Sequence, residues 1–258
     1  MRNYPWRLLA DLTQREIKSR LSHSAVGIIW LIVTPVLLLA VYAFVFGVIF
    51  KARAPEGLGF PFIVWLAIGL WPWLAFSEAS LRASQAIRQH SALISKISIN
   101  RSVLVISVLS GTFILHLVGY AVVLAILEIR GINLTWQGLP YAVMIMFTLY
   151  GLAAGLGLLL SAAQVFIRDL EQLLPILFML WFFLTPILYA PELLPADLQH
   201  LLWINPMTWW IEELRAALIH GQVLPSLSFL ALVAGAIVTL LTGHWVFNRV
   251  SPYFEDFL

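Results

Sequence analysis

The chain runs to 258 residues, 61% of them hydrophobic and only 11% charged. Soluble domains carry about 45–50% apolar and about 25% charged residues, so a soluble domain of this length could not hide so much apolar surface. The composition defines a multi-pass membrane protein. A net charge of +2 gives no broad basic surface for nucleic acid. The absence of cysteine excludes thiolate nucleophiles, cysteine-ligated metals and disulfides, and leaves the redox compartment open.

In chain order, the first twenty residues contain no apolar core or small-residue cleavage site, so they are not a signal peptide. Residues 5–21 instead separate on a helical wheel. Arg7, Asp11, Gln14, Arg15 and Lys18 share one face, and Trp6, Leu9, Ile17 and Leu21 the other. That pattern predicts an amphipathic helix in the membrane interface, with Trp6, Arg7, Arg15 and Lys18 among the headgroups. Glu16 and Arg20 interrupt its apolar face, and a plain solvated arm is the rival reading.

Apolar runs long enough to span a bilayer fall at 25–50, 61–81, 102–127, 139–163, 172–190 and 224–247. Six spans put both termini on one side. With the N-terminus inside, eleven of the fifteen Lys and Arg lie inside and four outside, so the expected topology is N-in, C-in. The fold class expected is an all-α polytopic membrane protein, a single transmembrane domain over 1–258.

Two cytoplasmic connections follow from this topology. Segment 82–101 has helical character, and Leu93, Ile94 and Ile97 fall at helical spacing where water should face them. That suits a helix covered by a partner. Segment 164–172 is a very short turn that crowds Arg168, Asp169 and Glu171 into four positions. On the opposite side, 190–222 carries Pro191, Pro195 and Pro206 between apolar runs too short to span. Irregular backbone at membrane depth must be covered by protein or line a cavity. Two external re-entrant half-helices broken near Asn205–Pro206 are therefore expected, against an interfacial helix anchored by Trp203, Trp209 and Trp210.

Chemistry is sparse. There is no phosphate-cradling G-x-x-x-x-G-K-[ST] loop, no H-E-x-x-H and no G-x-S-x-G. His116 lies mid-span, where an ionisable group is a functional candidate by default. With no second ligand in view, a hydrogen-bonded packing histidine is the stronger reading, and no metal site is expected. Glu78 should pair with Arg82 one turn on. Among the aromatics, Trp71, Trp73 and Trp136 read as interface belts. Tyr42, Phe46, Trp181 and Phe183 fall within spans, where rings could stack on sugars lining a conduit. "GLAAGLG" (151–157) offers Gly151 and Gly155 as a close helix-packing surface. The picture is a membrane protein without an engine but with two docking elements, so energy must come from a separate subunit.

The residues also resemble a known family. "REIKSRLSHSAVGIIWLIVTPVLLLAVYAFVFGVIF" (15–50) is similar to the opening of type-2 ABC permeases that export cell-surface polysaccharides. The likeness continues through "GLWPWLAFSEA" (69–79), "HSALISK" (90–96), "VFIRDLEQLLP" (165–175), "FFLTPILY" (182–189) and "NPMTWWIEELRAALIHG" (205–221). One departure is Asn100 before Arg101, where many relatives have proline.

The resemblance implies a homodimeric permease in the bacterial inner membrane, partnered by two copies of a nucleotide-binding ATPase. This chain would be no enzyme and hold no cofactor; ATP and Mg would bind the partner. Coupling to the ATPase would fall to Gln85, Arg88, His90, Leu93, Ile94 and Lys96, with Arg168, Asp169 and Glu171 as the second contact. Pro186, Tyr189, Asn205, Pro206, Glu212 and Arg215 would form the outer gate. The interface helix would lie near the point where a lipid-linked polysaccharide is taken up, with periplasmic and outer-membrane export proteins as further partners. Capsule, O-antigen and teichoic-acid-like polymers all remain open as cargo. The alternatives are an exporter of a small lipophilic molecule or drug on the same fold, and an intramembrane glycan-modifying enzyme or redox-complex anchor. Missing paired carboxylates and missing paired His ligands count against the last two.

Overall fold

In lipid a backbone can satisfy its polar groups only within helices or closed barrels. The computed structural model of this chain describes residues 5–22, 27–51, 61–94, 100–132 and 134–257, and no strand occurs among them. The helices are α1 (Pro5–Ser22), α2 (Gly27–Tyr42, continued by a π-helical turn over Ala43–Ile49), α3 (Phe62–Gln89), α4 (Ser91–Ile94), α5 (Arg101–Ile129), α6 (Leu139–Phe166), α7 (Leu170–Phe183), α8 (Ala196–Leu202), α9 (Pro206–Leu218) and α10 (Leu227–Val250). A 3-10 turn over Ser251–Asp256 closes the described chain.

Among the described residues, five helices are long and apolar enough to cross a membrane: Ile32–Ile49, Phe62–Gln89, Arg101–Ile129, Trp136–Phe166 and Leu227–Asp256. The segment expected to span at 172–190 is helical over Leu170–Phe183. Fourteen residues reach about 21 Å at 1.5 Å each, short of the ~30 Å hydrocarbon layer. Helicity stops because Pro186 has no N–H to donate, and the Thr185 hydroxyl turns back to the Trp181 carbonyl at 2.8 Å. In the opposite direction, α3 runs two turns past its expected end at residue 81, so the first part of segment 82–101 is helix and not loop. No glycine or proline interrupts it there, and Arg82–Glu78 and Gln89–Gln85 pairs at i, i+4 support it.

Asn100 explains its own departure from the family pattern. Its side chain caps α5, accepting from the Ser102 N–H at 3.1 Å and the Ser102 hydroxyl at 2.7 Å. A capping asparagine at this position starts the helix without a proline.

α3 is the axis of the fold, packed against α5, α6, α9 and α7. Because neighbours cover it on all sides, Trp71 and Trp73 are only 3% exposed. They are core residues, which corrects the expectation that they form an interface belt. Trp136 is exposed, as a belt residue would be.

α6 and α10 meet backbone to backbone. A Cβ on Gly155 would lie 2.5 Å from the Thr239 carbonyl oxygen and the Leu240 nitrogen, and one on Gly243 would lie 2.3 Å from the Gly155 oxygen. The obstacle is backbone in each case, so nothing can swing aside. Gly151 is 3.9 Å from the Ala236 Cβ, an ordinary contact. The glycine pair that matters is therefore Gly155 with Gly243, on different helices. Gly155→Val should force α6 and α10 apart at a cost of roughly 1–3 kcal/mol. Thermal unfolding in detergent checks this, and an unchanged Tm would reject the close packing.

Candidate functional site

Three groups of polar side chains stand out from the apolar bulk. The first lies where α3 ends and α7 begins. Arg88 donates from Nη1 to Glu171 Oε2 at 2.9 Å, joining two segments 83 residues apart in sequence. Both side chains are partly exposed. Gln85 is half-buried, and His90 ends α3 with its Nδ1 2.8 Å from the Ala86 carbonyl. Arg168 and Asp169 are exposed in the turn before α7. The structure thus brings the two expected docking elements into one surface. Lys96 lies outside the described residues, as do the side chains of Leu93 and Ile94.

The second group fastens α9. Asn205 caps that helix by accepting from the Met207 N–H at 3.0 Å. Its amide nitrogen donates to the Thr185 hydroxyl at 2.8 Å, and its oxygen also accepts from Trp181 Nε1 at 2.7 Å. Proline follows at the first helical position, the place proline suits best. One helical face further along, Arg215 is 1% exposed. Its guanidinium donates to the Pro186 carbonyl at 2.9 Å, to Glu212 Oε1 at 2.7 Å and to the Trp65 carbonyl at 3.4 Å. It also stacks on the Trp65 ring at 3.4 Å from the centroid. Pro186, Asn205, Pro206, Glu212 and Arg215 are therefore neighbours in one assembly that fixes the α7–α9 connection. Tyr189 joins by donating to the Phe183 carbonyl at 3.2 Å. Behind α9, the buried Glu213 accepts from the hydroxyls of Tyr141, Ser226 and Ser228, tying α9 to α6 and α10.

The third group was hidden in the sequence. Glu78 accepts from Arg82 Nε at 2.8 Å, as expected, and also faces His116 Nε2 at 2.8 Å. Arg20 Nη1 lies 3.8 Å away. Arg20 in turn donates to Glu16 at 3.0 Å and to the Thr112 hydroxyl. Glu16 and Arg20, which appeared to spoil the apolar face of α1, are the residues that dock α1 onto α5 and α3. Their i, i+4 spacing was the available signal. His116 is the hydrogen-bonded histidine expected, and among the described residues no group of three potential metal ligands occurs. On α1, Trp6, Arg7, Arg15 and Lys18 are exposed.

The aromatic candidates divide. Tyr42 and Phe46 stack on one another at 5.9 Å between centroids. Tyr42 also lines a groove of about 220 Å³ that α2 and α3 form with Pro175, Phe178 and Met179 of α7. Phe183 is exposed. Trp181 is half-buried, bound to Asn205 and packed edge-on against Phe76 at 5.4 Å. Its ring is committed to the protein interior.

A helical protein with several membrane-crossing segments, a polar surface at one end and a hydrogen-bonded helix cap at the other has the anatomy of a membrane permease. Sequence comparison gives the family: the profile of the ABC-2 type transporter matches residues 7–219, and the chain belongs to that family. It is 26% identical over 260 residues to an O-antigen export system permease protein RfbA of Klebsiella pneumoniae, covering 99% of this chain and 96% of the relative. It is 29% identical over 255 residues to the O-antigen export system permease protein RfbA of Myxococcus xanthus, covering 96% and 94%. A polysialic acid transport protein KpsM of Escherichia coli is 26% identical over 230 residues, covering 89% and 88%.

Proposed function

We propose that this chain is the membrane-spanning permease subunit of an ATP-driven exporter that moves a lipid-linked cell-surface polysaccharide across the bacterial inner membrane. The observation that carries the reading is the end-to-end similarity to O-antigen and capsule export permeases. The family assignment makes it a transporter. The chain works as a homodimer with two copies of a separate ATPase that binds ATP and Mg. In this reading α7 with the turn after it supplies the sixth crossing, both termini face the cytoplasm, and α8 and α9 are the external half-helices.

The mechanism follows from where the polar surface lies. ATP binding closes the two ATPases and pushes on residues 85–96. That push separates the permease halves and opens a conduit along their interface. A polymer is too bulky for an enclosed pocket, so the glycan is threaded processively, and the segment around Asn205 and Arg215 opens as the outer gate.

Gentle purification from native membranes tests the half-transporter reading. An ATPase subunit in equal amount is the expected result. A chain isolated alone, whose deletion leaves surface glycan intact, would overturn it. The docking role of the short turn has its own test: Arg168→Glu and Asp169→Arg should each reduce stimulated ATPase activity and export several-fold with protein levels unchanged. Both side chains are exposed, so substitution leaves the fold alone. Normal activity in both variants rejects this contact.

A further inference from the structure

On their exposed side α5 and α6 meet in a concave wall. Phe113, Tyr120, Leu124 and Met146 are buried along its floor, while Ile114, Leu117, Val143 and Phe147 stand exposed along its rims. Together they enclose a groove of about 440 Å³. It runs from Ser110 to Leu124 on α5 and from Tyr150 to Leu139 on α6, roughly 17–21 Å at 1.5 Å per residue. Both helices are long and apolar enough to cross a membrane, so the groove follows the bilayer normal. Ser110 and Tyr150 mark one end, and the other reaches Leu218, the last residue of α9.

Chemistry and bore select what fits. None of the fourteen lining residues is charged. The Ser110 and Tyr150 hydroxyls bond to one another at 2.7 Å, so they demand nothing of a ligand. Spread over roughly 20 Å, the volume leaves a bore of about 22 Å². A helix about 10 Å across fills about 80 Å², so no partner helix enters. Fourteen residues also fall short of the roughly 20–30 a side that a stable protein interface takes, so a second copy is a poor fit. A lone hydrocarbon chain matches both dimensions. Half of the ~30 Å hydrocarbon layer is about 15 Å, the depth that the chains of one leaflet cover.

We propose that this groove is a specific site for one acyl chain of a bilayer phospholipid, selected by the chain and not by the headgroup. An empty groove would leave its lining without partner atoms on one side, and a seated chain restores those contacts. Because Leu218 closes the far end, the chain packs against α5, α6 and α9 at once and adds to the hold of α9 on the bundle. The site rests on the placement of α5 and α6 in the membrane and is independent of the export reading.

The test places the full-length chain in vesicles of phosphatidylethanolamine and phosphatidylglycerol. Either lipid in turn carries a photoactivatable diazirine on an acyl chain, and mass spectrometry locates the labelled residues. α10 supplies the internal reference, because Leu230, Ile237, Val238 and Leu241 are exposed on a span. The groove floor should take about fivefold more label than that face, although its own residues are buried. The ratio should be the same with either headgroup. Ala121→Phe fills the groove from an exposed position on α5 and should bring the floor down to the α10 level. Phe147→Ala, which removes part of one rim, should lower it too and serves if the first variant does not fold. Added phospholipid should raise the Tm of the delipidated parent by about 2 °C or more beyond its effect on the Ala121→Phe variant. A floor labelled no more than α10, or a preference that survives both variants, overturns the site, since ordinary surrounding lipid then covers this face. A floor left unlabelled while α10 is labelled puts protein in the groove and overturns it as well. Labelling confined to one headgroup overturns selection by the chain.

Discussion

Arg215→Ala is expected to lower the melting temperature by roughly 6–20 °C and to cut the yield of monodisperse protein sharply. The guanidinium is buried and serves the Pro186 and Trp65 carbonyls, the Glu212 carboxylate and the Trp65 ring at once. Alanine leaves the Pro186 carbonyl unpaired and Glu212 without its cation. Removing one partner of a buried ion pair costs roughly 3–5 kcal/mol, and in a chain of this size each kcal/mol is worth about 2–4 °C. Arg215→Lys should recover only part of the loss. Lysine keeps the charge, but as a point donor it cannot serve carbonyls on two elements and stack on an indole together. Thermal unfolding and gel filtration in detergent decide the matter. A Tm within about 2 °C of the parent protein for the alanine variant would mean that Arg215 does not hold α9 to α3. A lysine variant indistinguishable from the parent would mean that charge alone suffices. Glu212→Gln should cost less than either, because Glu212 is partly exposed and its loss leaves the other Arg215 bonds in place.

The contrast between Arg215 and the rest of the chain shows what a sequence of this kind reveals. Long apolar runs announce spans because the bilayer demands about twenty such residues, and the five long helices stand where those runs are. Their ends were less legible. α3 continues past residue 81 because polar residues at a membrane surface are as compatible with helix as with loop. α7 stops at Phe183 although the apolar run goes on, because hydropathy does not register the missing N–H of Pro186. Trp71 and Trp73 carried a belt signal by composition, yet their positions on the central helix put them in the core. The residues proposed for the outer gate were named from family motifs, and the structure brings them together around Asn205 and Arg215. That Arg215 is buried was not legible, since a lone arginine between spans reads as solvated. Glu78 and His116, 38 residues apart, and Arg88 and Glu171, 83 residues apart, meet only because α3, α5 and α7 pack as they do. No local pattern encodes those meetings.

The second large effect concerns export with little change in stability. Arg88→Glu, or Glu171→Arg, should reduce surface glycan several-fold while Tm stays within about 2 °C, since exposed ion pairs contribute at most about 1 kcal/mol to folding. The reason for a large functional effect is the isolation of α7. Of its fourteen residues only Leu174, Phe178 and Phe182 are buried, and it packs on α3 and α6 through few contacts. At its far end the helix is held by Asn205, which binds both Trp181 and Thr185. At its near end the Arg88–Glu171 pair ties it to α3. α7 is thus a lever gripped at its two ends, one of them by the segment that would receive the ATPase's push. A bias of about 1 kcal/mol in the position of such a lever is about fivefold in its conformational equilibrium, so a contact too weak to matter for folding can govern transport. The exchange Arg88→Glu with Glu171→Arg separates this link from direct contact with the ATPase. It restores the pair while leaving each charge reversed toward any outside partner. Recovery of more than about half of the export lost in the single variants supports the mechanical link. A double variant no better than the worse single variant would place Arg88 and Glu171 at the docking surface as independent contacts, with the movement of α7 driven from elsewhere.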